Sequence, residues 1–367
     1  MDIDTSTLFA PIVIKGHAVK NRLSVAPMTR ITATEDGRAT ETMTRYYERF
    51  SRGGFGTVIT EGIYIDQTFS QGYIHQPGMT DEAQANAWKP VVNGIKAHGA
   101  FAIAQMMHAG AISQGNRFRT GTVGPSAIQP KGEQMKFYHG KDRYVLPAAI
   151  TEEQIADAVT GFAGSAARAV EVAGFDAIEI HGANGYLLDQ FLTDYTNGRT
   201  DRWGGDTTNR VRLIVETLKT VQAAVGATVP VGVRISQGKV NDYHHKWVGA
   251  ERDAETIFGS LADAGVDFIH VTEFEAWQPA FAAGGPSLMH LAKRHAPEAA
   301  VLANGSLHNV EQAVAALTDG ADIVTIGRGA LANPDLPRRL SEGRALQAFD
   351  PAILGPIADV KDVELAM

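Results

Sequence analysis

Eight short apolar runs, each rich in β-branched residues and most followed by a helical pattern, constrain this chain more than any other feature. They are RLSVAP (22–27), GTVITEG (56–62), FAIAQMM (101–107), DAIEIHG (176–182), VPVGVRIS (229–236), DFIHVTE (267–273), AVLANGS (300–306) and DIVTIGRG (322–329). Strands alternating with helices predict βα units around a parallel sheet. Among the intervening helices, one is expected from Thr151 to Ala173, opened by the capping-box pattern Thr151-Glu-Glu-Gln154, and another from Asn209 to Val225. Eight strands are the number a closed (β/α)8 barrel requires; a doubly wound sheet would use fewer and need a switch point.

The 367 residues lie within the range of a single barrel with insertions, so one domain spanning 1–367 is expected. Two regions fall outside the repeat. LFAPIVIKGHAVKNRL places two apolar segments around Lys15-Gly16-His17 and predicts a β-hairpin that closes the barrel bottom. The stretch 108–150, with Gly, Pro, Phe137, Tyr138 and Tyr144, is too long for an ordinary βα loop; it follows the third strand and is expected to act as a lid. From Gly343 onward no strong pattern is present.

The absence of cysteine removes disulfides, thiolate metal sites, cysteine-ligated clusters and a Cys nucleophile. A net charge of −8 argues against nucleic acid as a partner, and 44% hydrophobic residues is ordinary globular composition. The N-terminal region is acidic, and no apolar run approaches the ~18 residues that span a bilayer, so no membrane partner and a cytoplasmic location are expected.

In a barrel, functional residues gather at the C-terminal strand ends. Polar groups do so here: Pro27-Met28-Thr29 after the first strand, Thr60-Glu61-Gly62 after the second, Gln105 and His108 at the third, His181 and Asn184 at the fourth, and Arg234 at the fifth. The seventh and eighth strands end in Gly turns, ANGS with Asn304 and Gly305, and IGRG with Gly327 and Arg328. Free N–H groups, a helix N-terminus and a guanidinium suit a phosphate there. GRGALA also has Rossmann G-x-G-x-x-A spacing, but only thirty-five of the 367 residues follow Ala332, too few for a dinucleotide-binding domain.

HGANGYLLDQFL, beginning at His181, is the most specific segment. From spacing alone, His181, Asn184 and Tyr186 read equally as a buried histidine, a helix cap and a packing aromatic, or as a site. On a helical turn, residues three apart face the same way, so His181 and Asn184 could each donate to one oxygen. Glu179 lies on the same side of the strand as His181 but deeper, and is expected to be a buried carboxylate paired with a cation.

Over most of its length the chain resembles the Old Yellow Enzyme family of FMN-dependent ene-reductases. The likeness runs from LFAPIVIKGHAVKNRLSVAPMTR through TEGIYID, QMMHAG, GPSAI, EVAGFDAIEIHGANGYLLDQFL, NGRTDRWGG, NRVR and VGVRIS to IGRGALANPDLPRRL. The resemblance implies FMN across the strand ends of a (β/α)8 barrel. Pro27, Met28, Thr29 and Gly62 would lie beside the ring, Thr29 bonding its O4. Gln105 would face the pyrimidine edge, Arg234 the N1 and C2 oxygen, and Asn304, Gly305, Gly327 and Arg328 the phosphate end. His181 and Asn184 would hold the carbonyl or nitro oxygen of an activated alkene, where charge develops as hydride reaches the β-carbon. Tyr186 would protonate the α-carbon. NADPH or NADH would be the reductant, visiting the same face in a ping-pong cycle; the substrate could be an enone, enal, maleimide or nitroalkene.

This chain departs from the family pattern at Ala111, where Arg is frequent, at Trp203, where Tyr is usual, and in a tail without the usual aromatics. His244, His245 and Trp247 could line the entrance or form a solvated loop. No metal is expected. Other readings are a Schiff-base aldolase, whose nearest lysine is Lys239 beyond the fifth strand, a metal-dependent isomerase using Glu179, His181, His270 and Glu273, and a non-catalytic flavin-binding barrel.

Overall fold

The computed structural model describes residues 4–366. Eight strands form in the predicted segments: β1 (Leu23–Val25), β2 (Thr57–Ile59), β3 (Phe101–Met107), β4 (Ala177–Asn184), β5 (Val231–Lys239), β6 (Phe268–Thr272), β7 (Ala300–Asn304) and β8 (Ile323–Ile326). Each pairs in parallel with the next, and β8 pairs back onto β1, Val324 opposite Leu23, so the sheet closes into the (β/α)8 barrel.

Several of the longer helices begin where the sequence supplies a side-chain oxygen to cap them. Thr151 Oγ1 accepts from Gln154 N at 3.2 Å while Gln154 Oε1 accepts from Thr151 N at 3.0 Å, the reciprocal pair expected for the helix Glu152–Arg168. That helix continues as a π-helical turn, Ala169–Ala173, and stops at Gly174 with φ +88°. Asp206 caps Thr207–Val225 from one side only, its Oδ1 accepting from Asn209 N at 2.9 Å.

Inward-facing side chains change character along the barrel axis. At the N-terminal end Ile59, Phe101, Ile103, Ala177, Phe268, Leu302 and Ile323 form an apolar layer, joined by Ile14 and Val19 of the hairpin Ile12–Ile14/His17–Val19. Gly232 leaves the room that the Phe268 ring occupies; a Cβ there would stand 2.2 Å from the ring. The hairpin turns at Lys15 and Gly16, with φ of 46° and 82°, and plugs the bottom. Toward the C-terminal end the interior becomes polar, with Gln105, Glu179, His181, Arg234, His270 and Thr325 all buried.

Two long excursions reach that polar end. Residues 108–150 fold into short pieces, with Val123–Gly124 paired to Ala148–Ala149 and a single turn at Lys136–Tyr138. Tyr138 Oη donates to Thr29 O at 3.0 Å, which fastens the excursion to the loop after β1. The patternless tail packs into the core. Glu364 is fully buried and accepts from Arg30 Nη1 at 2.6 Å and from Arg49 Nη2 at 3.1 Å; Arg30 also donates to the backbone oxygens of Ala358 and Asp359. Trp203 is buried, its Nε1 donating to Glu152 Oε1 at 2.6 Å.

Candidate active site

A cavity of about 360 Å³ opens at the C-terminal strand ends, within the range of small-molecule pockets. Pro27, Met28, Thr29, Gln105, His181, Asn184, Tyr186, Arg234, Asn304, Gly305, Gly327 and Arg328 all line it. Met135, Phe137 and Tyr138 of the 108–150 excursion and Leu354 of the tail also contribute to the wall.

Gly62 does not line it. A Cβ there would lie 2.5 Å from Met107 Sδ, so this glycine makes room for Met107, and it is Met107 that reaches the cavity. His244, His245 and Trp247 are also absent from the wall; Trp247 is buried elsewhere, edge-on to Phe258 and tilted against Phe281, and His245 packs on Tyr195. Ala111 lies off the wall too, its N–H bonded to Gln190 Oε1.

His181 and Asn184 converge by a different route from the expected helical turn. Both belong to β4, where residues three apart point to opposite faces. Asn184 adopts the left-handed conformation, φ +62°, and Gly185 follows at +86°, and this kink turns both side chains onto one cavity. Asparagine tolerates that region better than most residues, and glycine freely. Gly185 N donates to Asp189 Oδ2 at 2.6 Å, and Tyr186 then starts the short helix Leu187–Leu192.

His181 is buried, which holds its imidazole well below the usual pKa; the nearby Arg234 charge acts in the same direction. Its Nδ1 accepts from Ala183 N at 3.3 Å, so the neutral ring carries its proton on Nε2. Burial pushes Tyr186 up to about 12, so the phenol stays protonated across the physiological range. Tyr186 Oη lies 2.6 Å from Tyr73 Oη and its ring meets the His181 ring edge-on. With Tyr73 donating, Tyr186 keeps its own proton for the cavity. Tyr73, in the loop after β2, was not singled out by sequence; the only local trace is an aromatic between Gly72 and Ile74.

Beneath this pair lies a connected polar core. Glu179 Oε1 accepts from Gln105 Nε2 at 2.7 Å, and Oε2 lies 2.7 Å from His270 Nδ1. Burial would raise the Glu179 carboxyl, but His270 and Arg234 outweigh it and hold it below its usual value; burial lowers His270. Glu179 is thus a buried carboxylate paired with His270, and the Arg234 charge acts on both. Glu179 orients Gln105 so that its amide oxygen is free for the cavity. Arg234 donates to Asn304 Oδ1 at 3.0 Å and its Nε has no partner. A buried guanidinium with an unmet donor is suited to an anionic or carbonyl-bearing ligand edge.

At the opposite end, Gly305 has φ +144° and a Cβ there would lie 2.3 Å from Glu273 O, so only glycine permits the turn. A Cβ on Gly327 would point toward Met28 Sδ. The helix Arg328–Ala332 starts at the cavity, and its first N–H groups have no intrahelical acceptor. Two glycine turns, such N–H groups and Arg328 are donors for a phosphate monoester. The residues present therefore fit a ligand with a flat, hydrogen-bonding ring at one end and a phosphate at the other.

The other chemistries find no assembled site. Lys239 is buried in an ion pair with Asp189, not poised as a free amine. Glu273 pairs with Lys246 while Glu179 engages His270, and among the described residues no three His, Asp or Glu side chains form a metal-binding group. Among the described residues no helix is long and apolar enough to cross a membrane.

Comparison with known proteins agrees with this geometry. Residues 7–347 match the model of the NADH:flavin oxidoreductase / NADH oxidase family. A Leishmania infantum protein named "Probable flavin mononucleotide-dependent alkene reductase" is 32% identical over 356 residues, covering 94% of this chain and 93% of that protein. The solved Old Yellow Enzyme homologue of Zymomonas mobilis superposes with TM-score 0.87 at 30% identity, covering 98% of each chain. Morphinone reductase in complex with tetrahydroNAD superposes with TM-score 0.85 at 29% identity, covering 98% of this chain and 96% of that one.

Proposed function

The chain belongs to the NADH:flavin oxidoreductase / NADH oxidase family, the Old Yellow Enzymes, and we propose that it is an FMN-dependent ene-reductase that reduces alkenes activated by a carbonyl or nitro group in a ping-pong cycle. It is an NAD(P)H-dependent flavin oxidoreductase acting on C=C bonds. The observation that carries the finer reading is the convergence of His181, Asn184 and Tyr186 on a cavity whose far end is built from Gly305, Gly327 and Arg328.

FMN, when bound, would supply the hydride chemistry that links oxidation of the nicotinamide to reduction of the alkene. Arg234 and Gln105 would hold the pyrimidine edge, Arg234 through its unpartnered Nε and Gln105 through its free amide oxygen. Thr29 and Met28 would lie along the ring, and the Gly305 and Gly327 turns with Arg328 would hold the phosphate. His181 Nε2–H and the Asn184 amide donate to the substrate oxygen. As the β-carbon gains hydride, electron density moves onto that oxygen, so both hydrogen bonds strengthen beyond their ground-state value and favour the transition state. Tyr186 delivers its proton to the α-carbon, and Tyr73 remains hydrogen-bonded to the phenolate that is left.

The hairpin plugs the barrel bottom and leaves the open end to nicotinamide and alkene alike, which supports a cycle in which the first leaves before the second binds. Met135, Phe137 and Tyr138 act as a lid that narrows this end and excludes water. The test is anaerobic absorbance of the purified protein, with NADPH or NADH added first and 2-cyclohexenone second. Bleaching of the flavin bands followed by their recovery on enone addition is expected. Bleaching without recovery would refute the ene-reductase reading, and a colourless protein that cannot be reconstituted with FMN would refute the flavin reading itself.

A further inference from the structure

The left-handed turn at Asn184 and Gly185 aims one oxygen-binding donor and sets the start of the segment that carries Tyr186, and its backbone is held at every polar atom. Asn184 N donates to Ser236 Oγ at 2.8 Å and Asn184 O accepts from Val240 N at 3.1 Å. Gly185 O accepts from Gln190 Nε2 at 2.7 Å, and Gly185 N donates to Asp189 Oδ2. The other oxygen of Asp189 accepts from Lys239 Nζ at 2.6 Å, with 0% of the Asp189 side chain and 2% of the Lys239 side chain exposed. Lys239 arrives there because β5 slips register between Ile235 and Lys239, which sets Lys239 opposite Asn184 in the ladder. A Cβ on Gly185 would meet Asn241 Oδ1 at 2.8 Å and Lys239 Cβ at 3.2 Å, so the lysine stem also walls the turn.

Burying two charges costs more than an apolar pair of the same size, and such a pair is weak evidence for stability. This one bonds to the turn itself, and a non-glycine residue in the left-handed region persists only where its surroundings over-determine it. We infer that the Asp189–Lys239 ion pair is a positioning device for alkene reduction, fixing the Asn184–Gly185 turn so that the Asn184 amide and the Tyr186 phenol meet the substrate in register. Neither residue lines the cavity, so both act through the turn. The inference rests on the function proposed above.

The test uses the flavin-loaded enzyme with Lys239→Gln and Lys239→Arg. Binding of 4-nitrophenolate, whose oxyanion imitates the developing charge, is titrated by absorbance, and reoxidation by 2-cyclohexenone and bleaching by nicotinamide are timed separately. Lys239→Gln is expected to weaken phenolate binding and slow reoxidation by about ten- to a hundredfold, with bleaching changed by less than about twofold; Lys239→Arg restores both to within about threefold. Should Lys239→Gln fail to fold, the doubly neutral Asp189→Asn/Lys239→Gln variant carries the same expectations, because it removes the ion pair that fixes the turn without leaving an uncompensated buried charge. A lower Tm with phenolate affinity and reoxidation unchanged, or equal slowing of bleaching and reoxidation, would overturn the inference. A parent enzyme that binds phenolate yet is not reoxidised by enone refutes the proposed function instead, and the binding titration still decides the role of the ion pair.

Discussion

Replacing Asn184 by alanine and, separately, by glycine separates the chemistry of this residue from its conformation. Both substitutions delete the amide donor to the substrate oxygen. A donor lost from a water-excluded site of this kind typically costs ~2.7 to 4 kcal/mol of transition-state stabilisation, or about a hundred- to a thousandfold in rate. His181 remains, and its buried neutral ring still donates through Nε2, so the lower end of that range is expected. The conformational consequence differs between the two. At φ +62° alanine suffers the full left-handed penalty of ~1 to 2 kcal/mol, which asparagine partly escapes, whereas glycine has none. Asn184→Ala should therefore lose stability on denaturant titration and Asn184→Gly little, while both slow enone-driven reoxidation about a hundredfold and leave bleaching by nicotinamide nearly unchanged. A glycine variant with parental reoxidation rates would refute the claim that the amide acts on the substrate; equal stabilities of the two variants would refute the conformational half of the argument.

Tyr186→Phe is expected to slow reoxidation by enones about a hundred- to ten-thousandfold in stopped-flow traces without altering bleaching, and to have a smaller effect with nitroalkenes, whose nitronate water can protonate. Equal slowing of both half-reactions would reduce Tyr186 to a ligand-positioning role. Glu61, buried behind Thr29 and accepting from Arg30 N, Ile31 N and Tyr47 Oη, is pushed up to about 7 by burial. Its folded pKa exceeds its unfolded one, so the native state binds more protons between about 4.5 and 7, and this group's contribution to stability falls as pH rises through that window. Glu61→Gln should remove that part of the slope in denaturant titrations run from pH 5 to 8, and an unchanged slope would assign the titration elsewhere.

Much of the barrel is legible because its signals are local. Strand-length apolar runs and capping residues such as Thr151 act within a few positions of themselves, and those segments formed where sequence placed them. The strand-end rule likewise brought His181, Arg234 and the Gly305 and Gly327 turns onto one cavity. What eluded the sequence depends on backbone angles or on partners far along the chain. Asn184 was assigned a helical turn because a three-residue spacing implies one; the left-handed kink does the same work within a strand, and Asn-Gly was its only local sign. Gly62 sits at a strand end like its neighbours, but spacing cannot tell the face toward the cavity from the face toward Met107. Tyr73 and Tyr186 are 113 residues apart, and no period marks that relation. Glu179 was expected against a cation whose identity the sequence could not name; the partner is His270, which reaches the same point from a strand 91 residues away.

The tail carries a consequence for how the molecule comes into being. Arg30 stands directly after the cavity-lining Thr29, yet its carboxylate partner, Glu364, is separated from it by 334 residues. At ribosomal rates of about 5 to 20 residues per second, roughly 20 to 70 s pass between the synthesis of one and of the other. Throughout that interval the first strand's loop holds an arginine without its Glu364 partner, so this end of the barrel can be sealed only after synthesis has passed Glu364. A nascent chain that stops before Glu364 would lack the carboxylate that both Arg30 and Arg49 pair with.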